Sequence, residues 1–90
     1  MKKRAHIIYS GRVQGVGFRY TAVDQAGRYP VTGWVKNLPG EKVELVVEGE
    51  EEAIDQYTSA LSRIFKQRIQ KEDFFWEPAT GEFTGFQINY

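Results

Sequence analysis

The stretch from Gly11 to Arg19, GRVQGVGFR, combines three glycines with two arginines. It lies between a segment with a strand pattern and a segment with a helical pattern. At such a junction the first amide N–H groups of the helix have no intrahelical partner and point at whatever precedes it. Glycine permits positive φ and close approach of a ligand to the backbone, while Arg19 adds a charged fork that matches two phosphate oxygens. The stretch therefore predicts a site for phosphate or carboxylate, with a structural glycine turn as the alternative.

Other residue types exclude much familiar chemistry. The 90-residue chain has no cysteine and a single histidine, His6. It therefore has no thiolate nucleophile, no disulfide, and neither a cysteine-built metal site nor a histidine cluster. The glycine stretch also lacks the Gly-Lys-Ser/Thr ending of a Walker loop and the G-x-G-x-x-G of a dinucleotide fold. We expect no metal site and no cofactor, and we expect His6 to be an ordinary strand residue.

Charge is unevenly distributed, although the formal net charge is zero. Residues 1–36 carry seven Lys or Arg against Asp24 alone, whereas residues 37–90 carry five basic and eleven acidic residues. A positive field in the half that contains the glycine stretch suits a small anion, although ordinary surface charge is the alternative. A neutral chain lacks the strong attraction that nucleic-acid binders use, so we expect no nucleic-acid partner.

Hydrophobic periodicity predicts the elements that must position this stretch. The segment RAHIIYSGRV alternates as a strand, with Ala5, Ile7 and Tyr9 on one face. A helix is predicted to begin at Phe18 and to be stopped by Pro30. The segments VTGWVKN and KVELVVEG follow as strands, and the Pro-Gly turn LPGE joins them into an antiparallel hairpin.

The second half of the chain begins with its clearest element. Apolar residues at helical spacing predict a helix from about Glu50 to Phe65, with Ile54, Tyr57, Leu61 and Ile64 on its buried side. The segment RIQKEDFFWEP is a strand candidate with poor alternation. The segment FQINY closes the chain, with Phe86, Ile88 and Tyr90 on one face.

The order strand, helix, strand, strand, helix, strand is that of the split βαβ motif. We predict fold class α+β: a ferredoxin-like βαββαβ sandwich, with one antiparallel sheet and two helices on one face, formed by a single domain over residues 1–90. No apolar run approaches the roughly 20 residues that cross a bilayer, and the basic N-terminus turns polar too soon for a signal peptide. We expect a cytoplasmic, monomeric protein with no membrane partner.

Two segments together resemble one known family. GRVQGVGFR at Gly11–Arg19 and GWVKNLPGEKVE at Gly33–Glu44 are similar to the two signatures of acylphosphatases, a G-x-V-Q-G-V-x-F-R loop and a G-W-V-x-N segment that continues into V-E. The resemblance implies metal-independent hydrolysis of acyl phosphates, with a small-molecule substrate and with a carboxylate and inorganic phosphate as products. The stretch from Phe65 to Phe83 follows no family pattern.

The resemblance also implies site residues. The catalytic arginine falls on Arg19 and the catalytic asparagine on Asn37. The phosphate-binding residues fall on Gln14, Gly15, Val16, Gly17, Phe18 and Arg19. The implied chemistry suits these residue types, because a carboxylate leaving group is stable near neutral pH and needs no general acid.

Two other functions remain open from the sequence. A noncatalytic phosphate- or anion-binding module could share this architecture, since the fold supports many unrelated functions. RNA binding on the sheet face is a third option, but the neutral net charge and the lack of an RNP aromatic signature count against it.

Overall fold

The computed structural model describes residues 1–90 as five strands and two helices. The elements are β1 Lys2–Gly11, α1 Phe18–Ala26, β2 Thr32–Leu38, β3 Lys42–Glu50, α2 Glu51–Ile64, β4 Ile69–Pro78 and β5 Phe86–Asn89. The strands form one sheet in the order β4-β1-β3-β2-β5. Neither helix has the length and apolar character needed to span a membrane.

The predicted α+β sandwich is confirmed, with two corrections to the sheet: it has five strands, whereas the predicted order βαββαβ has four, and its strands are not all antiparallel. β1 pairs antiparallel with β3 and β4, and β2 pairs antiparallel with β3. β5, however, runs parallel to β2, so the sheet is mixed. The chain leaves β4 at one edge and crosses to the other edge, where Phe86 and Ile88 pack against the core and the Gly33 amide donates to the Gly85 carbonyl at 2.8 Å. β5 thereby covers the backbone of β2, which would otherwise be exposed.

One hydrophobic core lies between the sheet and the helices. Alternation along β1 buries Ala5, Ile7 and Tyr9 completely, as predicted, and β3 buries Val43, Leu45 and Val47 in the same way. Removal of each large apolar side chain from water contributes about 1.5–3 kcal/mol. The helices are tied together by the Tyr57 hydroxyl, which donates to the Ala22 carbonyl at 2.8 Å.

The helix boundaries and one core position differ from the sequence prediction. α1 ends at Ala26, because the Gly27 amide bonds back to the carbonyls of Asp24 and Gln25 and a turn precedes Pro30. Ile64 is 48% exposed rather than buried. The helix ends there, and Phe65 is buried instead, with the centroid of its ring 4.6 Å from the centroid of the Phe18 ring.

A buried carboxylate holds the crossing segment between β4 and β5. Glu48 accepts hydrogen bonds from the amides of Thr80 and Gly81 at 2.9 and 3.0 Å and from Arg4 Nε at 2.8 Å. Burial raises the pKa of the Glu48 carboxyl, but the bonds from Thr80, Arg4 and Gly81 outweigh burial and lower that pKa to about 2. The ionised carboxylate therefore fixes the path that brings β5 to β2.

Candidate active site

The glycine stretch forms a loop anchored at both ends in the core. Val13 and Phe18 are each 1% exposed, and Phe18 is the first residue of α1. Between them Gly15 and Gly17 have φ of 74° and 80°, and no atom lies within 4 Å of a Cβ built on either residue. Backbone conformation rather than lack of space therefore requires glycine at both positions, and the open side of the loop is accessible to a ligand.

The amides of this loop have no partner within the protein. Those of Gln14, Gly15, Val16 and Gly17 donate no hydrogen bond to another protein group, and the first backward bond of α1 runs from the Thr21 amide to the Gly17 carbonyl at 2.9 Å. α1 also lacks a side-chain cap and an acidic residue in its first turn. Free N–H groups at the positive end of a helix dipole are suited to bind an anion.

Arg19 lies in the first turn of α1 with its guanidinium free of any carboxylate. It is half-buried, and no Asp, Glu or C-terminal carboxylate forms a salt bridge with it. Its Cζ lies 5.4 Å from the centroid of the Tyr90 ring, within range of a cation–π contact. The sequence pattern places Tyr90 only on the face of a terminal strand, because nothing in the sequence indicates that β5 lies beside α1.

Asn37 lies near the end of β2, where its backbone pairs with Val43 of β3. Its side-chain oxygen is buried and has no hydrogen-bond partner. A buried acceptor without a hydrogen bond lowers the stability of the folded protein by about 1–3 kcal/mol. Such an orphaned group calls for an explanation, and a ligand or water in the adjoining cleft is one.

Gln14 connects the loop to the strand that carries Asn37. Its Nε2 donates to the Leu38 carbonyl at 2.7 Å and to the Lys42 carbonyl at 2.8 Å. Leu38 and Lys42 are opposite each other at the turn of the β2–β3 hairpin. The resemblance implies a phosphate-binding role for Gln14 but not these two hydrogen bonds, because its partners are 24 and 28 residues away in the chain.

These residues line one cleft of about 240 Å³. Its walls are formed by Val13, Gln14, Gly15, Gly17, Phe18, Arg19, Tyr20 and Asn37. Of the sequence-predicted site residues, only Val16 does not line it, since its side chain packs against the core. Three larger depressions elsewhere contain none of the predicted residues.

The cleft offers donors rather than metal ligands. No residue that lines it carries a carboxylate or an imidazole, and no group of three or more His, Cys, Asp or Glu in the chain could hold a metal ion. His6 lies elsewhere, where its Nε2 is 2.6 Å from the Glu44 carboxylate. With free amides and a guanidinium on one side and an amide side chain on the other, the cleft can bind a phosphate and position a neighbouring polar atom.

Comparison with known proteins identifies the family. The acylphosphatase family model matches residues 5–88. A curated acylphosphatase from Roseiflexus sp. (strain RS-1) is 45% identical over 86 residues, which cover 94% of this chain and 92% of the relative. Another, from Geobacter sulfurreducens, is 40% identical over 96 aligned positions that cover 100% of both chains. The crystal structure of acylphosphatase from Bacillus subtilis matches with a TM-score of 0.88 at 30% identity, covering 98% of this chain and 99% of that one. The chain belongs to the acylphosphatase family.

Proposed function

We propose that this chain hydrolyses acyl phosphates to a carboxylate and inorganic phosphate, without a metal ion. The phosphate is held by the loop amides from Gln14 to Phe18 and by Arg19, and the attacking water is oriented by Asn37. One observation carries the proposal: a single cleft combines three unpartnered loop amides, an unpaired guanidinium and an orphaned side-chain oxygen. Family membership supports the reaction class.

Charge stabilisation falls to the loop and Arg19. Phosphoryl transfer proceeds through a transition state whose charge is spread over the equatorial oxygens, so catalysis is mainly positioning and electrostatics. The guanidinium is free to contact those oxygens, because no carboxylate competes for it. The departing carboxylate is a stable anion at neutral pH and needs no proton, which suits a cleft without an acid.

Asn37 acts on the nucleophile. Its side-chain oxygen can accept a hydrogen bond from the attacking water and its amide nitrogen can donate one to the substrate, so that the water lies in line with the P–O bond. The amide cannot act as a base near pH 7. The water proton therefore passes to a phosphate oxygen of the substrate itself.

The residues of the cleft support metal independence. Mg²⁺ at phosphoryl-transfer sites is bound through one or two carboxylates as well as through substrate phosphates. The cleft has no carboxylate, whereas it has a permanent cation, Arg19. Arg19 and the backbone dipoles supply the positive charge that a metal supplies in other phosphoryl-transfer sites.

The test is hydrolysis of benzoyl phosphate in excess EDTA by the wild-type protein and by Arg19→Ala and Asn37→Ala. We expect rapid turnover by the wild type, none measurable for Arg19→Ala, and a loss of about 100-fold or more in kcat for Asn37→Ala, as for removal of a preorganised polar group. Arg28→Ala and Asn89→Ala are matched controls outside the cleft and should keep wild-type kcat.

Circular dichroism, which reports folding, and measurement of phosphate binding distinguish the ways in which the proposal could be wrong. Folded Arg19→Ala or Asn37→Ala protein with near-wild-type kcat would contradict the assigned roles. Wild-type protein that binds inorganic phosphate but does not turn over would instead indicate the noncatalytic anion-binding module. Activity lost in EDTA and restored by Mg²⁺ would contradict metal independence alone.

A further inference from the structure

The outer edge of β4 is exposed and apolar. β4 is the last strand of the sheet at this side and pairs only with β1. Near its middle, Phe74, Phe75 and Trp76 are 37%, 54% and 44% exposed. An edge strand of ten residues presents a row of unpaired N–H and C=O groups on which another strand can pair.

The aromatic residues occupy both faces of this edge. Opposite Ile7 and Ala5 of β1, Phe74 and Trp76 lie on the face of the sheet that carries the helices. Their rings stack with centroids 6.2 Å apart. Phe75 is opposite His6 and lies on the other face. Because successive side chains alternate, a strand added here would cover apolar surface on both faces.

We propose that β4 pairs antiparallel with β4 of a second copy of this chain, about a two-fold axis at Phe74. Phe74 then lies opposite Phe74 of the second copy, and both helical layers lie on one side of a continuous sheet. A monomer is the expectation from the sequence; only the fold shows that β4 is an edge strand and that this edge is self-complementary.

Several registers keep the helices of both copies on one side of the sheet, and the charged side chains of β4 favour the register with the axis at Phe74. With the axis at Phe74, Lys71 lies opposite Glu77 of the second copy, and the symmetry forms this pair twice. An axis at Asp73 would place two Asp73 carboxylates opposite each other, and an axis at Phe75 would place Asp73 opposite Glu77. Like charges directly opposite are destabilising, whereas opposite charges stabilise.

The contacts that the charged side chains of β4 make within one copy do not prevent pairing between two copies. Lys71 Nζ lies 3.7 Å from an Asp73 oxygen, and this exposed pair contributes little. Glu72 is held within its own copy by the Ser62 hydroxyl at 2.8 Å. None of the residues in the register lines the cleft, so the proposal is independent of the proposed function.

Charge reversal tests the register. Molecular mass measured by sedimentation equilibrium over a concentration series should give a reversible dimer for the wild type. Lys71→Glu should raise the dimer dissociation constant by about tenfold or more, since two attractive pairs become repulsive. Adding Glu77→Lys to Lys71→Glu should restore wild-type association. Lys66→Glu is the matched control, an exposed lysine outside the register, and should leave the dissociation constant unchanged.

Cysteine cross-linking tests the axis directly, because the chain has no cysteine of its own. Directly opposite residues on antiparallel strands have Cα atoms about 4.5–5.5 Å apart, within reach of a disulfide. Phe74→Cys should therefore form a covalent dimer under mild oxidation faster than Phe75→Cys, although Phe75 is the more exposed residue. A monomer at every concentration, a double variant that stays dissociated, or faster cross-linking by Phe75→Cys would each overturn the proposal.

Discussion

Replacing Gln14 with methionine removes its side-chain amide while keeping its length. The amide makes two hydrogen bonds, of 2.7 and 2.8 Å, to the carbonyls of Leu38 and Lys42. Each such bond contributes about 0.5–1.5 kcal/mol net, so the variant should lose about 1–3 kcal/mol of unfolding free energy. Urea unfolding followed by circular dichroism measures this loss.

The effect on catalysis should fall on kcat. The amides that we propose to bind phosphate all belong to the loop and keep their mutual arrangement, so inorganic phosphate should inhibit the variant almost as it inhibits the wild type. What changes is the placement of the loop relative to Asn37, which is on the strand that Gln14 holds. Misplacement by about 1 Å can cost about 100-fold in rate. We therefore expect kcat for benzoyl phosphate to fall by about 10- to 100-fold.

A matched variant separates this positioning role from loss of stability. Gln56→Met changes an exposed glutamine on α2 and should leave stability, kcat and phosphate inhibition unchanged. The reasoning would be refuted by Gln14→Met that is destabilised but turns over at the wild-type rate, since the two bonds would then be structural only. Weakened phosphate inhibition at unchanged kcat would also refute it, because Gln14 would then act on phosphate binding.

Four further substitutions test interactions that hold the fold together. Glu48→Gln should lose about 2 kcal/mol of unfolding free energy at pH 7. Because the folded pKa of Glu48 is about 2, below its ordinary 4.5, the ionised group's contribution is fully present above about pH 4.5 and is lost as pH falls toward 2, which urea unfolding across that range measures. Tyr9→Phe removes a buried hydroxyl with no partner and should leave thermal stability equal or higher, whereas Tyr57→Phe loses its bond to a carbonyl and should be about 1 kcal/mol less stable. Glu41 has a φ of 58°, which glycine adopts more readily than glutamate, so Glu41→Gly should raise the unfolding free energy by about 0.5–1 kcal/mol in the same thermal unfolding experiments. A lower unfolding free energy would mean that the Glu41 side chain makes a stabilising contact.

Local patterns predicted the elements near the cleft well. Alternation at Ala5, Ile7 and Tyr9 identified β1 and its buried face, because one face of that strand is covered by helices and the other is not. Glycines between a strand and a helical pattern located the loop, since only a few residue types tolerate φ near 80°. These features depend on neighbours a few residues away, which is the range that sequence patterns describe.

Features that depend on distant partners could not be predicted in the same way. A period of two tells which face of a strand is buried but not which strand it pairs with or in which direction, so the parallel pairing of β5 with β2 was missed. The same limit applies to Gln14, whose partners are on the hairpin, and to Tyr90, which meets Arg19 across the fold. The buried Glu48 was also missed, because its hydrogen-bond donors come from a segment more than 30 residues away.

The cleft is built from groups that the rest of the fold leaves without partners. Elsewhere, buried polar atoms are almost all satisfied, and even the buried carboxylate of Glu48 has three amide or guanidinium donors. At the cleft the loop amides, Arg19 and the oxygen of Asn37 are all without such partners. Each such group lowers stability or adds nothing to it, whereas all of them would be satisfied by one phosphate and one water. The loop and the β2–β3 hairpin that carry them are held by Gln14, Val13 and Phe18. The fold thus fixes the positions of these groups while leaving their binding capacity unused, which is the preorganisation that electrostatic catalysis requires.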